Sequence, residues 1–326
     1  MPKVLIAPIT LANVEAGFVH ALRGAGFDLV YTGKPHQLLE DELLDALKGV
    51  SASLAGSEPY TERVLAANPQ LRVVARVGVG YDAVDVPAAT ARGVAVCIAP
   101  NTNQDAVAEH TFCLMLGLVK NLVSQHLGTR ALKWPRGANL PLRKRTLGIA
   151  GLGRIGKAVA LRGEAFGMPL MAYEPYPDRE FAAAHRIELV PFERLLADSD
   201  FLSLHLPMTA ESKHLINRRT LALMKPTAFL VNTARGGLVC EADLIETLRA
   251  KKLAGAGLDV FEEEPPSDSP LFKMDNVLIT PHAAGVDLQS RDDMALSAAE
   301  AIIDLSRGAW PAEKVVNPDV RAKYRW

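Results

Sequence analysis

Short apolar runs alternate with amphipathic stretches along most of the chain, and this alternation predicts the fold. Runs that are apolar throughout are typical of parallel strands in a sheet covered by helices on both faces. The N-terminal part therefore predicts an α/β domain. Its predicted strands are Val4–Ile9, Asp28–Thr32, Ala52–Ser57, Val73–Gly80 and Val94–Pro100.

A second alternation predicts a second sheet. It follows a predicted helix from about Asp105 to His126 and a polar segment broken by prolines, and it precedes a predicted helix from about Asp287 to Arg307, ended by Gly308. Strands with intervening helices indicate a doubly wound sheet, so we predict two doubly wound parallel α/β domains. The strands of the second are Thr146–Gly153, Pro169–Glu174, Ile187–Pro191, Asp200–Pro207, Ala228–Arg235, Ala254–Phe261 and Asn276–His282.

Composition narrows the class of protein. A chain of 326 residues with 49% apolar and 22% charged residues suits two globular domains. The net charge is −1 and the densest basic run is LRKR, residues 142–145, which argues against a nucleic-acid partner. Apolar runs of about ten residues are too short to span a bilayer, and MPKVLIAPIT does not resemble a signal peptide. We therefore expect a cytoplasmic protein with no membrane partner.

Cysteine usage predicts free thiols. Cys97, Cys113 and Cys240 are widely spaced, form no CxxC motif and lie in apolar contexts. We expect buried thiols in a reducing compartment and no metal site.

The stretch GLGRIG, Gly151 to Gly156, fits the pattern G-x-G-x-x-G between a predicted strand and a helical pattern. In that setting Gly151 permits a tight turn, Gly153 lets a pyrophosphate approach the backbone, and Gly156 lets the helix pack closely on the strand. The free amides at the start of the helix would face the phosphates. The motif predicts a dinucleotide cradle.

Glu174 ends the next predicted strand, about twenty residues after the cradle, where an acidic side chain can bind the adenosine ribose diol. A carboxylate there would repel the 2′-phosphate of NADP. We therefore predict NAD as the cofactor, although Arg179, five residues further on, could soften the preference.

Other strand ends carry residues suited to hydride chemistry. His205, Arg235, Asp259 and His282 all fall at the carboxyl ends of predicted strands, where open α/β sheets bind ligands. A guanidinium can grip a 2-oxo acid in a fork, a histidine can exchange a proton with the alkoxide, and a carboxylate can orient that histidine. The grouping predicts an oxidoreductase acting on a small 2-hydroxy or 2-oxo acid.

The chain resembles the D-isomer-specific 2-hydroxyacid dehydrogenase family over nearly its whole length. The resemblance lies in ordered segments: RVGVGYDAVDV, DAVAEHTFCLML, GLGRIGKAVA, SLHLPMTAESKHLIN, NTARGGLV, GLDVFEEEPP and ITPHAAG.

The resemblance implies roles for individual residues. Arg235 would bind the substrate, Glu264 would pair with the catalytic histidine, and His282 would be the general acid/base. Glu262 and Glu263, which precede Glu264, would be solvent-facing loop acids. Backbone amides of Val79 and Gly80 would donate hydrogen bonds to the substrate carboxylate, with Arg76 as a further candidate for binding substrate.

The implied cofactor contacts are Gly151, Gly153, Arg154, Ile155, Gly156, Glu174, His205 (as a wall of the adenosine pocket), Thr233, Ala234 and Asp259. His20, His36, His110, His126, His185 and His214 have no motif context and are expected to be surface or helix residues.

The resemblance also implies a division of the chain and an assembly. A flavodoxin-like substrate domain would comprise residues 1–99 and 286–326, with a Rossmann NAD-binding domain, residues 100–285, inserted into it. The segment around Trp134 resembles the one used for homodimer contacts in the family, but Trp134 could equally be a local packing residue.

Several functions stay open at this stage. Hydroxypyruvate or glyoxylate is favoured as substrate over 3-phosphoglycerate, and the serine-sensing domain of longer phosphoglycerate dehydrogenases is not expected. Formate dehydrogenases carry glutamine where this chain has Glu264, which argues against that activity. A corepressor-like NAD-sensing protein shares the fold and a similar triad; the shortage of sequence outside the two domains argues against it.

Overall fold

A computed structural model describes residues 1–326. The chain forms two compact units: one comprises Met1–Asn103 and Val286–Trp326, and the other comprises Gln104–Gly285. The second unit is thus inserted into the sequence of the first.

The twelve strands pair in parallel throughout, as continuous apolar runs predict. They are β1 Lys3–Ile6, β2 Asp28–Tyr31, β3 Ala52–Ala55, β4 Val73–Arg76, β5 Ala95–Cys97, β6 Leu147–Ala150, β7 Leu170–Tyr173, β8 Ile187–Leu189, β9 Phe201–Leu204, β10 Phe229–Asn232, β11 Gly255–Leu258 and β12 Val277–Ile279.

The twelve α-helices cover the sheets. They are α1 Gly17–Gly24, α2 Glu40–Ala46, α3 Glu62–Ala67, α4 Val86–Ala91, α5 Gln104–Val119, α6 Leu122–Arg130, α7 Arg154–Ala165, α8 Arg179–Ala184, α9 Phe192–Asp198, α10 Arg218–Leu221, α11 Glu241–Arg249 and α12 Leu288–Ser306. Short 3₁₀ turns lie at Ile9–Leu11, Gly236–Leu238, Pro270–Lys273 and Pro318–Ala322.

The first unit contains a five-stranded sheet in the order β2-β1-β3-β4-β5. This is the flavodoxin-like order. One face is covered by α1 and α12, which pack on each other, and α12 also contacts β3 and β4. Asp287 caps the start of α12, because its side chain accepts a hydrogen bond from the Ser290 amide. The helix buries an alanine-rich stripe that includes Ala295, Ala298 and Ala299.

The second unit contains a seven-stranded sheet in the order β12-β11-β10-β9-β6-β7-β8. The direction of winding reverses between β6 and β9, which is the topological switch point where such sheets bind ligands. The predicted fold class, two doubly wound parallel α/β domains, is confirmed.

The predicted helix from Asp105 to His126 is wrong in one respect, because the structure has two helices there. The helices α5 and α6 are bent by 59° relative to each other, and Asn121 between them has φ +49°. Asparagine tolerates the left-handed conformation that ends a helix. The apolar periodicity continues across Asn121, so it did not predict the break between α5 and α6. No single helix is long and apolar enough to cross a bilayer; α5 and α6 reach that length and composition only when taken together across their bend.

The prediction that all three cysteines are buried is also wrong. Cys97 is buried, Cys240 is partly buried and Cys113 is exposed. Cys113 lies on α5 between the buried residues Phe112 and Leu114, on the solvent-exposed part of the helix. An apolar sequence context therefore did not decide which face of the helix the thiol occupies.

Candidate active site

The glycine-rich turn joins β6 to α7 at the switch point. Gly151 has φ +97°, and a Cβ added there would lie 2.6 Å from the carbonyl oxygen of His205. A Cβ on Gly156 would lie 2.0 Å from the carbonyl oxygen of Gly151. Both positions exclude a side chain because backbone occupies the space, so these two glycines make the turn itself possible.

Gly153 serves a different purpose. It precedes the first residue of α7, Arg154, and a Cβ added to it would meet no protein atom within 4 Å. The first amides of a helix have no acceptor inside the helix, and here Arg154, Ile155 and Gly156 supply them. Open space in front of unpaired amides fits a pyrophosphate, so these residues suit the NAD that the sequence predicts.

Glu174 lies directly beside this cradle, just after β7. One carboxylate oxygen accepts a hydrogen bond from the Leu152 amide (2.9 Å) and the other from the Tyr176 amide (3.1 Å). The two bonds fix a negative charge next to the turn.

His205 follows β9 on the other side of the switch point. Its amide donates to the Ala150 carbonyl oxygen (2.7 Å), and its Nε2 lies 2.8 Å from the Ser203 hydroxyl. Its Nδ1 is buried without a protein partner, although the residue as a whole keeps part of its surface. Burial lowers the pKa of His205 to about 3, so the ring is neutral at physiological pH and unsuited to proton transfer.

Glu264 and His282 form an acid–base pair at this edge. Nδ1 of His282 lies 2.6 Å from Oε2 of Glu264, and the Phe261 amide donates to Oε1 at 3.0 Å. Partial burial acts to raise the pKa of the Glu264 carboxyl. The hydrogen bond and charge of His282 outweigh it and, with smaller contributions from the Phe261 amide and Arg235, lower that pKa overall. Glu264 is therefore ionised at neutral pH.

Glu262 and Glu263 are both exposed, as predicted for solvent-facing acids. Glu262 nevertheless has a partner, because it forms a short contact with Nε2 of His214.

Arg235 approaches this pair from the end of β10. Its backbone oxygen accepts a hydrogen bond from the Asn232 side chain (2.9 Å), and its Nη1 donates to the Ala234 carbonyl oxygen (2.6 Å). A Cβ on the following residue, Gly236, would lie 1.9 Å from the carbonyl oxygen of Phe261. This close approach of two backbones brings Arg235 beside the loop that carries Glu264.

Asp259 is fully buried just after β11, and both of its carboxylate oxygens are used inside the protein. Oδ1 accepts from the Thr280 hydroxyl (2.5 Å) and the Ala283 amide (2.9 Å), and Oδ2 accepts from the Ala284 amide (2.8 Å). Asp259 thus holds the loop that carries His282. Its predicted contact with NAD stays a prediction.

Helix α5 supplies side chains to this region that sequence reasoning did not single out. The Thr111 hydroxyl lies 3.0 Å from that of Thr233, and His110 Nε2 lies 2.9 Å from the Thr280 hydroxyl. Both contacts join residues more than a hundred positions apart, so no local spacing rule could have found them. His110 lies on a helix, as predicted, and its contact with Thr280 is an addition that only the structure shows.

In the N-terminal unit, the loop Val77–Gly80 follows β4. The Val79 and Gly80 amides donate to no backbone or side-chain acceptor of the protein. Arg76 is buried, and its guanidinium donates to the carbonyl oxygens of Gly80 (2.7 Å) and Ala55 (3.2 Å). Arg76 therefore braces the loop from behind; a direct contact with substrate stays a prediction.

Comparison with known proteins identifies the family of the chain. The family model described as D-isomer specific 2-hydroxyacid dehydrogenase, NAD binding domain, matches residues 112–284, more than half of the chain. The chain belongs to this family, and the unit Gln104–Gly285 contains its NAD-binding domain.

Individual relatives carry different names. The chain is 42% identical over 272 residues to a glyoxylate reductase from Korarchaeum cryptofilum, covering 81% of each chain. It is 38% identical over 296 residues to a D-3-phosphoglycerate dehydrogenase from Synechocystis, covering 88% of this chain and 53% of that one. A D-lactate dehydrogenase from Aquifex aeolicus, solved with NAD and lactic acid, superposes with a TM-score of 0.83 at 28% identity, covering 97% and 99% of the two chains. The chain thus spans about half the length of the phosphoglycerate dehydrogenases that it matches.

Proposed function

We propose that this protein is an NAD-dependent D-2-hydroxyacid dehydrogenase that interconverts a small 2-oxo acid and the corresponding 2-hydroxy acid. The observation that carries the proposal is the Glu264–His282 pair beside Arg235, at the same sheet edge as the glycine cradle. That edge is where a doubly wound sheet binds its ligands.

His282 is the proposed general acid/base. Because ionised Glu264 accepts the hydrogen on Nδ1, the opposite nitrogen, Nε2, is left to exchange a proton with substrate. During reduction, Nε2–H gives its proton to the carbonyl oxygen as that oxygen gains negative charge. During oxidation, the neutral ring takes the proton from the hydroxyl group. Glu264 stabilises the charged ring in both directions.

Arg235 is the proposed substrate-binding residue. Its planar guanidinium can hold the carboxylate and the neighbouring oxygen of a 2-oxo acid in one fork. In the N-terminal unit, the unpaired amides of Val79 and Gly80 are suited to donate hydrogen bonds to a substrate carboxylate, and Arg76 fixes the loop that presents them. We accordingly assign substrate binding to residues 1–99 with 286–326 and NAD binding to residues 100–285.

NAD, when bound, supplies the hydride acceptor or donor. Gly151, Gly153 and Gly156 with the first amides of α7 would hold its pyrophosphate, and Glu174 would hold the adenosine ribose. The fixed charge of Glu174 beside the cradle supports a preference for NAD over NADP. His205, Thr233, Ala234 and Asp259 stay as proposed cofactor contacts.

We further propose that the protein is a homodimer. The segment that follows α5 exposes several large apolar side chains, and Trp134 is 75% exposed. Apolar side chains grouped on a surface are typical of protein interfaces. The set is Leu122, Val123, Leu127, Leu132, Trp134 and Leu140.

Hydroxypyruvate or glyoxylate is the proposed substrate, with 3-phosphoglycerate as the second candidate because several relatives carry that name. Arg76, the candidate cation for a phosphate, is buried and donates to two backbone carbonyls, which favours the unphosphorylated acids.

The test is NADH oxidation with glyoxylate, hydroxypyruvate, pyruvate and 3-phosphohydroxypyruvate, repeated with NADPH. We expect turnover with the first two and a preference for NADH. No turnover with any 2-oxo acid would contradict the proposed activity, and a preference for the phosphorylated acid would replace the proposed substrate.

A further inference from the structure

The loop that carries His282 adopts a conformation that needs support. His282 has φ +52°, a left-handed conformation that is unfavourable for a residue with a side chain. Its amide donates to the carbonyl oxygen of Asp259 (2.7 Å), and the next two amides, of Ala283 and Ala284, donate to the Asp259 carboxylate. The position of the imidazole therefore depends on how firmly Asp259 holds this loop.

The Thr280 hydroxyl completes the set of donors to Asp259. The hydroxyl of Thr280 donates its hydrogen to Oδ1 of Asp259, 2.5 Å away. The lone pairs of the Thr280 hydroxyl oxygen are then left for His110, whose Nε2 lies 2.9 Å from that oxygen. Consequently Nε2 of His110 carries a hydrogen and donates it. His110 is also 3.6 Å from Oδ1 itself.

The packing of α5 fixes His110 in this place. A Cβ added to Gly257 of β11 would lie 3.0 Å from Cβ of Leu114, one turn after His110. A Cβ added to Gly117 of α5 would lie 2.6 Å from a methyl group of Leu278 in β12. The two glycines let the helix lie close to the two strands whose ends carry Asp259 and Thr280.

We propose that His110 is a positioning residue for His282, acting through Thr280 and Asp259. The inference rests on the proposed role of His282 as the general acid/base. His110 touches no reacting atom; its hydrogen bond orients the Thr280 hydroxyl, which with Asp259 holds the loop 280–284 and keeps His282 in its left-handed conformation. Loss of this bond loosens the loop, and a loosely held imidazole transfers protons more slowly.

The experiment compares His110→Leu, which removes the donor, with His110→Gln, whose side-chain amide can occupy the place of Nε2. Thr280→Val removes the hydroxyl with little change in volume, so it also abolishes the hydrogen bond between His110 and Thr280. His20→Leu is the matched control, since His20 is an exposed histidine on α1.

Amide hydrogen exchange of the protein without cofactor is the first readout. We expect His110→Leu and Thr280→Val to accelerate exchange at Ala283 and Ala284 by about tenfold, the loss of roughly one hydrogen bond. Exchange in β6 should not change, and His110→Gln should restore most of the protection. Unchanged exchange at these two amides, or faster exchange throughout the unit, would overturn the proposal.

Turnover is the second readout. We expect kcat for 2-oxo acid reduction to fall about tenfold in His110→Leu, with KM for NADH within about twofold of the original. Recovery in His110→Gln supports positioning; an unchanged kcat in His110→Leu contradicts it. If the unaltered protein reduces no 2-oxo acid, the proposed function fails, whereas the exchange measurement still decides whether His110 holds the loop.

Discussion

Nδ1 of His282 lies 2.6 Å from Oε2 of Glu264, although the two residues come from different loops, after β12 and after β11. Neighbouring parallel strands bring both loops to one edge of the sheet. Glu264 is ionised there because the pKa of its carboxyl is lowered by His282 against the opposing effect of burial.

The first prediction concerns pH. Glu264→Gln should move the pH profile of turnover to lower pH, because the protonated ring loses its counter-charge, and should lower kcat about tenfold or more at neutral pH. The measurement is kcat and kcat/KM between pH 5 and 9. Glu262→Gln is the control, since Glu262 pairs with His214 instead. Identical profiles for the two variants would contradict the role of Glu264.

The Glu264–His282 pair should also make the free energy of unfolding depend on pH. A carboxyl whose pKa is lowered on folding stabilises the folded state above its ordinary pKa of 4.5, and this contribution disappears as the pH falls through the lowered value. Denaturant unfolding should therefore show Glu264→Gln to be less stable than the original protein at pH 6, with the difference shrinking toward pH 3. A constant difference across that range would exclude this linkage.

Arg235→Lys tests whether the guanidinium of Arg235 binds the substrate through two parallel hydrogen bonds. A lysine keeps the charge but presents no planar pair of donors, so kcat/KM for the 2-oxo acid should fall about ten- to hundredfold, as for the loss of a hydrogen bond worth roughly 1.5–3 kcal/mol. Steady-state kinetics measures this, with Arg249→Lys, an exposed residue of α11, as the control. Equal kinetics in the two variants would rule out bidentate binding by Arg235.

Glu174→Gln tests cofactor choice. It removes the charge while keeping an oxygen that can accept the Leu152 amide. We expect the ratio of kcat/KM with NADH to that with NADPH to fall about tenfold or more, since charges a few ångströms apart interact by roughly 1–4 kcal/mol at a protein surface. Glu180→Gln, an exposed change on α8, should leave the ratio as it is. An unchanged ratio in Glu174→Gln would mean that the choice is made elsewhere.

Two glycines of the cradle should respond differently to alanine. Gly156→Ala places a methyl 2.0 Å from a backbone oxygen and should destabilise the fold by about 1–3 kcal/mol. Gly153→Ala meets no protein atom, so Tm should stay the same while NADH binding weakens, because the methyl enters the space offered to the phosphates. Thermal unfolding and fluorescence titration with NADH measure the two effects. A Gly153→Ala variant that binds NADH normally would contradict the cradle.

The sequence by itself determined the two doubly wound sheets and the edge at which chemistry gathers. Short continuous apolar runs that alternate with amphipathic stretches are typical of strands buried on both faces, and the carboxyl ends of neighbouring parallel strands share an edge. This is why Gly151, Arg235, Glu264 and His282 could be placed from pattern and resemblance together.

Only the tertiary structure decided how α5 meets the second sheet. The break at Asn121, the exposure of Cys113 and the contact of His110 with Thr280 all depend on which face of a nearly uniformly apolar helix packs inward, and no period in the sequence encodes that choice. Likewise, the sequence predicts ligand contacts for Arg76 and Asp259. The fold surrounds each with backbone partners, because a buried charge must be satisfied by groups that only folding brings close.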